Sequence, residues 1–166
     1  MDFMAQAQAY DAPMRAFFED LHRHPEPSHH EVRTNRRIRE ALAREGIELL
    51  CPAQNITIAV IRGAHPGKTV GLRFDTDCLQ MQELTDLPYK SETDGLMHGC
   101  GHDAHAAVGV FVSHLLADNS GILSFRSQLL NPGCNFLAGI SLLKRNHHLQ
   151  PAPGLVYLVL QGINLL

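Results

Sequence analysis

Residues 97–105 read Met-His-Gly-Cys-Gly-His-Asp-Ala-His, so three imidazoles, one thiol and one carboxylate fall within nine positions. Thiolate sulfur and imidazole nitrogen are borderline-soft donors that suit zinc, cobalt, nickel or manganese better than calcium. Flanking glycines let the backbone turn Cys100 and His102 toward one point, which a two-residue spacing inside a regular helix could not do. Taken singly, Cys100 reads as a small buried hydrophobe and each histidine as loop decoration. Taken together, so many donors among glycines serve no packing purpose, and the segment reads as a metal site.

Asp75 and Asp77 form a second constellation. They follow a β-branched run, and the carboxyl end of a strand in an open α/β sheet is where ligands bind. A carboxylate beside a metal can bridge ions or hold a ligating histidine in one tautomer. Two aspartates after a strand also suit an ordinary turn. His22, His24, His29 and His30 surround a helix end and a cap, where such side chains are common, and His65, His114, His147 and His148 read as surface residues. A thiol-based enzyme, with Cys100 as nucleophile and His102 or His105 as base, is a further reading of the same residues.

The elements that must position these groups follow from periodicity. Met14, Phe17, Phe18 and Leu21 recur at helical spacing over 10–24, and Pro25 and Pro27 end that run. Ser28 and Glu31 read as a capping box opening a second amphipathic helix, with Val32, Ile38 and Leu42 on one face and Gly46 as terminator. Residues 56–62 and 69–74 read as two strands joined by a turn over 63–67. A long irregular stretch over 78–98 carries Glu83, Asp86 and Glu92, and loops of that length are usually functional. A helix is expected from His102 to about Leu116, another over 137–146, and an apolar strand near the end.

The whole chain has 166 residues, 45% apolar and 19% charged, with a formal net charge of −3. That balance excludes a disordered or collagen-like chain and supports one domain with its own core. Eleven histidines are far above ordinary usage and point again to metal chemistry. No window approaches the roughly 18 apolar residues a membrane span needs, and the start lacks a basic segment followed by an apolar run, so a cytoplasmic protein is expected. Cys51, Cys78, Cys100 and Cys134 form no disulfide framework, and reduced thiols are expected. Arg33, Arg36, Arg37, Arg39 and Arg44 are interleaved with Glu31, Glu40 and Glu45, which reads as a solvated helix face and not as a nucleic-acid surface.

Four ordered blocks carry a family resemblance. They are LHRHPEPSHHEVRT at 21–34, GLRFDTDCLQ at 71–80, YKSETDGLMHGCGHDAH at 89–105 and LVYLVLQ at 155–161. With them the sequence resembles the N-terminal part of the amidohydrolase branch of the aminoacylase and carboxypeptidase-type di-metal peptidase family, the group of hippurate hydrolases, N-acyl-L-amino acid amidohydrolases and auxin-conjugate hydrolases. The resemblance implies an α/β fold: a partial zinc-peptidase-like catalytic domain, a mixed sheet flanked by helices, with the lid or dimerisation domain absent. It implies two divalent metals per site, zinc, manganese, cobalt or nickel. Residue by residue, Cys100 and His102 match metal ligands, and Asp77 matches the catalytic-site aspartate that orients a ligand. Asp75 falls where some relatives carry a ligand histidine, while Asp103 and His105 belong to the block without being direct ligands.

The departures are equally specific. Where the family continues from its last matching strand into paired glutamates, one a general base and one a ligand, Gln161 is followed here by Gly-Ile-Asn-Leu-Leu. Gln80 replaces a proline, and residues 110–136 read as an insertion. The expectation is a single, incomplete catalytic domain over 1–166, truncated before the glutamate pair. The function expected is metal-dependent hydrolysis of N-acyl amino acid amides by family, with weak metal binding and negligible turnover by this chain alone. The alternative is a non-catalytic metal-binding remnant. A small-molecule substrate is expected, with no nucleic-acid or membrane partner and the oligomeric state left open.

Overall fold

The computed structural model describes residues 2–67 and 69–124, together with the strand backbone of 155–161. A short helix α1 (Phe3–Ala9) leads into α2 (Asp11–Arg23), and α3 (Val32–Leu42) follows the two prolines. Three strands come next, β1 (Glu48–Ala53), β2 (Ile56–Arg62) and β3 (Val70–Asp75). After the irregular 78–98 stretch, α4 (His102–Asp118) runs to a short 3-10 turn, and β4 (Leu155–Gln161) completes the sheet.

The sheet is mixed, with order β1-β2-β4-β3. β1 and β2 form an antiparallel hairpin, β2 runs antiparallel to β4, and β3 runs parallel to β4. The two strands expected to be joined by a turn are therefore not partners: β4 lies between them, with Ala59 opposite Leu158 on one side and Leu72 opposite Leu158 on the other. A parallel pair needs a crossover, and α4 lies in the connection from β3 to β4. Gly63 at the end of β2 packs so tightly on the Leu123 carbonyl that a Cβ there would collide with it.

α2, α3 and α4 each bury one stripe, α3 and α4 against the sheet and α2 against α4. Phe17 and Leu21 of α2, Ile38 and Leu42 of α3, and Ala106, Ala107 and Val110 of α4 share a core with Ala59 and Ile61 of β2 and Phe74 of β3. Leu21, Ile38, Leu42 and Ile61 are fully buried, each worth about 1.5–3 kcal/mol of transfer free energy. The small residues on α4 let it lie close to β2 and β3, so its N-terminus meets the end of β3.

α3 opens at Val32 with Glu31 at its N-cap position, and His29 adopts φ 69 in the turn before it. Glu26, which the sequence did not single out, caps the helix start, its carboxylate accepting from the Arg33 and Thr34 N–H groups at 3.0 and 2.6 Å. The arginine cluster is not a free solvated face. Arg33 and Arg37 both reach Asp20, Arg39 donates to the carbonyls of Ala53, Gln54 and Ile56, and Arg44 pairs with Asp118.

Residues 110–118 of the expected insertion belong to α4, and 125–136 lie outside the described residues, as does the expected helix over 137–146. Among the described residues no helix is long and apolar enough to cross a membrane.

Candidate metal centre

β3 ends at Asp75, and the extended chain beyond it carries Asp77 toward the first turn of α4. There Asp77 Oδ1 receives a hydrogen bond from His102 Nδ1 at 2.9 Å, and the Asp77 carbonyl lies 3.0 Å from the same nitrogen. Two acceptors at Nδ1 place the proton there, which leaves the Nε2 lone pair available to a cation. Both side chains are largely buried, so the ring is held in one orientation.

Gly101 precedes α4 in the left-handed region at φ 81, a conformation that suits glycine and turns the chain sharply between Cys100 and His102. Cys100 stands in that turn, exposed and with a free thiol. Asp77 and His102 are thus brought together, and Cys100 is carried on the same short turn. Among the described residues, no three His, Cys, Asp or Glu side chains converge into a set able to hold a cation. The donor chemistry nevertheless fits a divalent ion: an imidazole locked by a carboxylate and an accessible thiol two positions away are the groups such an ion takes.

Asp75 does other work. Its Oδ1 lies 2.5 Å from Arg73 Nη2, and its backbone N–H donates to His105 Nδ1 at 3.1 Å. His105 packs edge-on against Phe74, so the residue serves to seat α4 on β3. His98 is 5% exposed, and neither ring nitrogen has a hydrogen-bond partner among the described residues. Burial presses its pKa down to about 4, which keeps the ring neutral at pH 7.

His22 is the residue that sequence reasoning misplaced. It is not a helix-end decoration but a buried side chain whose Nδ1 lies 2.6 Å from Asp103 Oδ2 and whose Nε2 lies 3.3 Å from Glu83 Oε1. Glu83 also accepts from the Ser91 N–H at 2.7 Å and from the Thr85 hydroxyl. These bonds and the His22 contact together outweigh burial and hold its carboxyl below the usual range. His114 is likewise not on the surface, being half-buried with Nε2 donating to the Ala41 carbonyl. Burial lowers its pKa. Cys78 is buried beside Asp77, and that burial raises its thiol to about 11, so it is inert packing.

Residues 71–123 match peptidase family M20/M25/M40. Over that stretch the chain is similar to the family. It is 38% identical over 112 residues to thermostable carboxypeptidase 1 of Saccharolobus solfataricus, an overlap of 66% of this chain and 28% of the relative. It is 46% identical over 99 residues to the N-acetylcysteine deacetylase of Bacillus subtilis, covering 58% of this chain and 26% of the relative. Among solved structures, a dinuclear metal binding peptidase of the M20 family from Bacillus subtilis superposes with a TM-score of 0.68 at 32% identity, covering 93% of this chain and 36% of that one. A putative aminohydrolase from methicillin-resistant Staphylococcus aureus gives a TM-score of 0.74 at 27% identity, covering 96% of this chain and 34% of that one. The chain thus spans about a quarter of these curated relatives and a third of these solved chains. Its mixed α/β architecture is that of the M20 metallopeptidases, and its relatives are hydrolases.

Proposed function

We propose that this chain supplies the metal-binding part of a metal-dependent hydrolase that cleaves the amide bond of N-acyl amino acids. The observation that carries the reading is the Asp77–His102 hydrogen bond at the junction of β3 and α4, with Cys100 on the adjoining turn. His102 Nε2 and the Cys100 sulfur hold the cation, and Asp77 fixes the tautomer and direction of the imidazole. A divalent cation, when bound, polarises a carbonyl and lowers the pKa of water. The remaining ligands and the proton shuttle come from outside the described residues. The N-acyl substrate class is supported by relatives named as an N-acetylcysteine deacetylase and carboxypeptidases, all acting at amide bonds. A small-molecule substrate, a cytoplasmic setting and reduced cysteines belong to the same reading.

The test is metal uptake by the purified chain, using zinc, manganese and cobalt in equilibrium dialysis. Uptake that falls sharply in Cys100→Ala and in His102→Ala supports the reading, and uptake indifferent to both sinks it.

A further inference from the structure

We propose that His22 is a positioning residue for the Cys100–His102 pair, acting through Asp103. The inference rests on the metal-centre reading above and deepens it. His102 and Asp103 are the first two residues of α4, and each is gripped from a different element. Asp77, two residues past the end of β3, holds His102. His22, in the last turn of α2, holds Asp103 at 2.6 Å across 81 positions of sequence. Gly101, with φ 81, offers the turn between the two ligands little restraint of its own, so the grips on either side of the peptide bond set its direction.

The grip is built, not incidental. Asp103 is 1% exposed and His22 6%. The imidazole is bracketed by two carboxylates, with Nδ1 2.6 Å from Asp103 on one side and Nε2 3.3 Å from Glu83 on the other. Glu83 belongs to the 78–98 loop, the Cys78 N–H donates to the Glu26 carbonyl at 2.9 Å and the Glu92 N–H to the Arg23 carbonyl at 2.8 Å, so α2 and its exit are tied to several points along the loop that leads into Cys100. Phe18 and Tyr89 close over the ring, with centroids 5.7 and 5.4 Å away. Burying three ionisable side chains costs free energy that an apolar filling would avoid, so the arrangement is better explained by placement of α4 than by stability.

The two bonds can be cut separately. The amide nitrogen of asparagine occupies the place of Nδ1, and that of glutamine the place of Nε2. His22→Asn therefore keeps the bond to Asp103, and His22→Gln keeps only the bond to Glu83. Cobalt(II) titration of the full 166-residue chain, read by the thiolate-to-cobalt absorption band, supplies the measurement. The expected result is a loss of cobalt affinity of about 10- to 100-fold in His22→Gln and in Asp103→Ala, the range typical of losing an outer partner of a metal ligand, with His22→Asn close to wild type. Wild-type affinity in His22→Gln, or equal losses in the Asn and Gln variants, overturns the proposal. Should His22→Gln fail to fold by circular dichroism, Asp103→Ala breaks the same bond from the other side, and unchanged affinity there overturns it too. A wild-type chain with no thiolate-to-cobalt band refutes the metal centre itself, and an intact band with indifferent variants refutes the positioning role alone.

Discussion

Asp77 Oδ1 lies 2.9 Å from His102 Nδ1, which couples the last residues of the β3 edge to the first residue of α4. The bond does two things at once: it puts the proton on Nδ1 and it stops the ring from rotating. Asp77→Ala removes both, so zinc affinity measured by competition with a chromophoric chelator should fall about 10- to 100-fold. Asp77→Asn should lose less, because its side-chain oxygen still accepts from Nδ1 while its charge is gone. Equal affinity in wild type and Asp77→Ala would remove Asp77 from the site.

Turnover is a separate matter from binding. The family resemblance implies a general-base glutamate beyond β4, and none follows Gln161 within these 166 residues. Loss of a general base alone typically costs on the order of 10² to 10⁴ in rate. The metal-loaded 166-residue polypeptide should therefore release no amino acid from hippurate or N-acetylcysteine above the metal-only control, followed by ninhydrin. Turnover that disappears in Cys100→Ala would contradict this.

How much of this was legible in the residues depends on how far apart the partners lie. α2, α3, β2, β3 and α4 announce themselves because their apolar spacing is local. β1 does not, since Glu48–Ala53 contains a proline, is mostly exposed and forms a sheet edge, where alternation is not enforced. The order β1-β2-β4-β3 is invisible to a reading of neighbours, because β4 enters between two strands that precede it by some eighty residues or more. Asp77 and His102 could be paired through the recurring blocks of the family. His22 could not, for its two partners lie 81 and 61 positions downstream and nothing in its helix-end setting signals burial. Arg39 looked solvent-facing for the same reason: its carbonyl partners belong to a hairpin tip that only the fold brings under α3.

Glu26 sets the entry of α3. Its two oxygens satisfy the Arg33 and Thr34 N–H groups, donors at the start of the helix that have no partner within it. Glu26→Ala should lower stability by about 0.5–2 kcal/mol in urea denaturation. An unchanged urea midpoint in Glu26→Ala would remove Glu26 from the cap.

Glu31 gives the chain a pH dependence of known sign. The residue is fully buried, and that burial pushes its pKa above the ordinary 4.5, against the opposing influence of nearby backbone N–H groups and Asn55. In the unfolded chain the carboxyl loses its proton near 4.5, while in the folded chain it keeps the proton to higher pH. Between those two values the folded state carries more protons than the unfolded one, so this group's contribution declines as pH rises. Glu31→Gln keeps the shape and removes the ionisation. The variant should match wild type below pH 4.5, gain on it as pH rises, and at pH 7 exceed it by roughly 1–3 kcal/mol, the cost of leaving a buried polar group poorly paired. Urea midpoints of the two proteins across pH 4 to 8 measure the difference, and a gap that does not widen with pH would show that Glu31 is ionised and well paired in the folded chain.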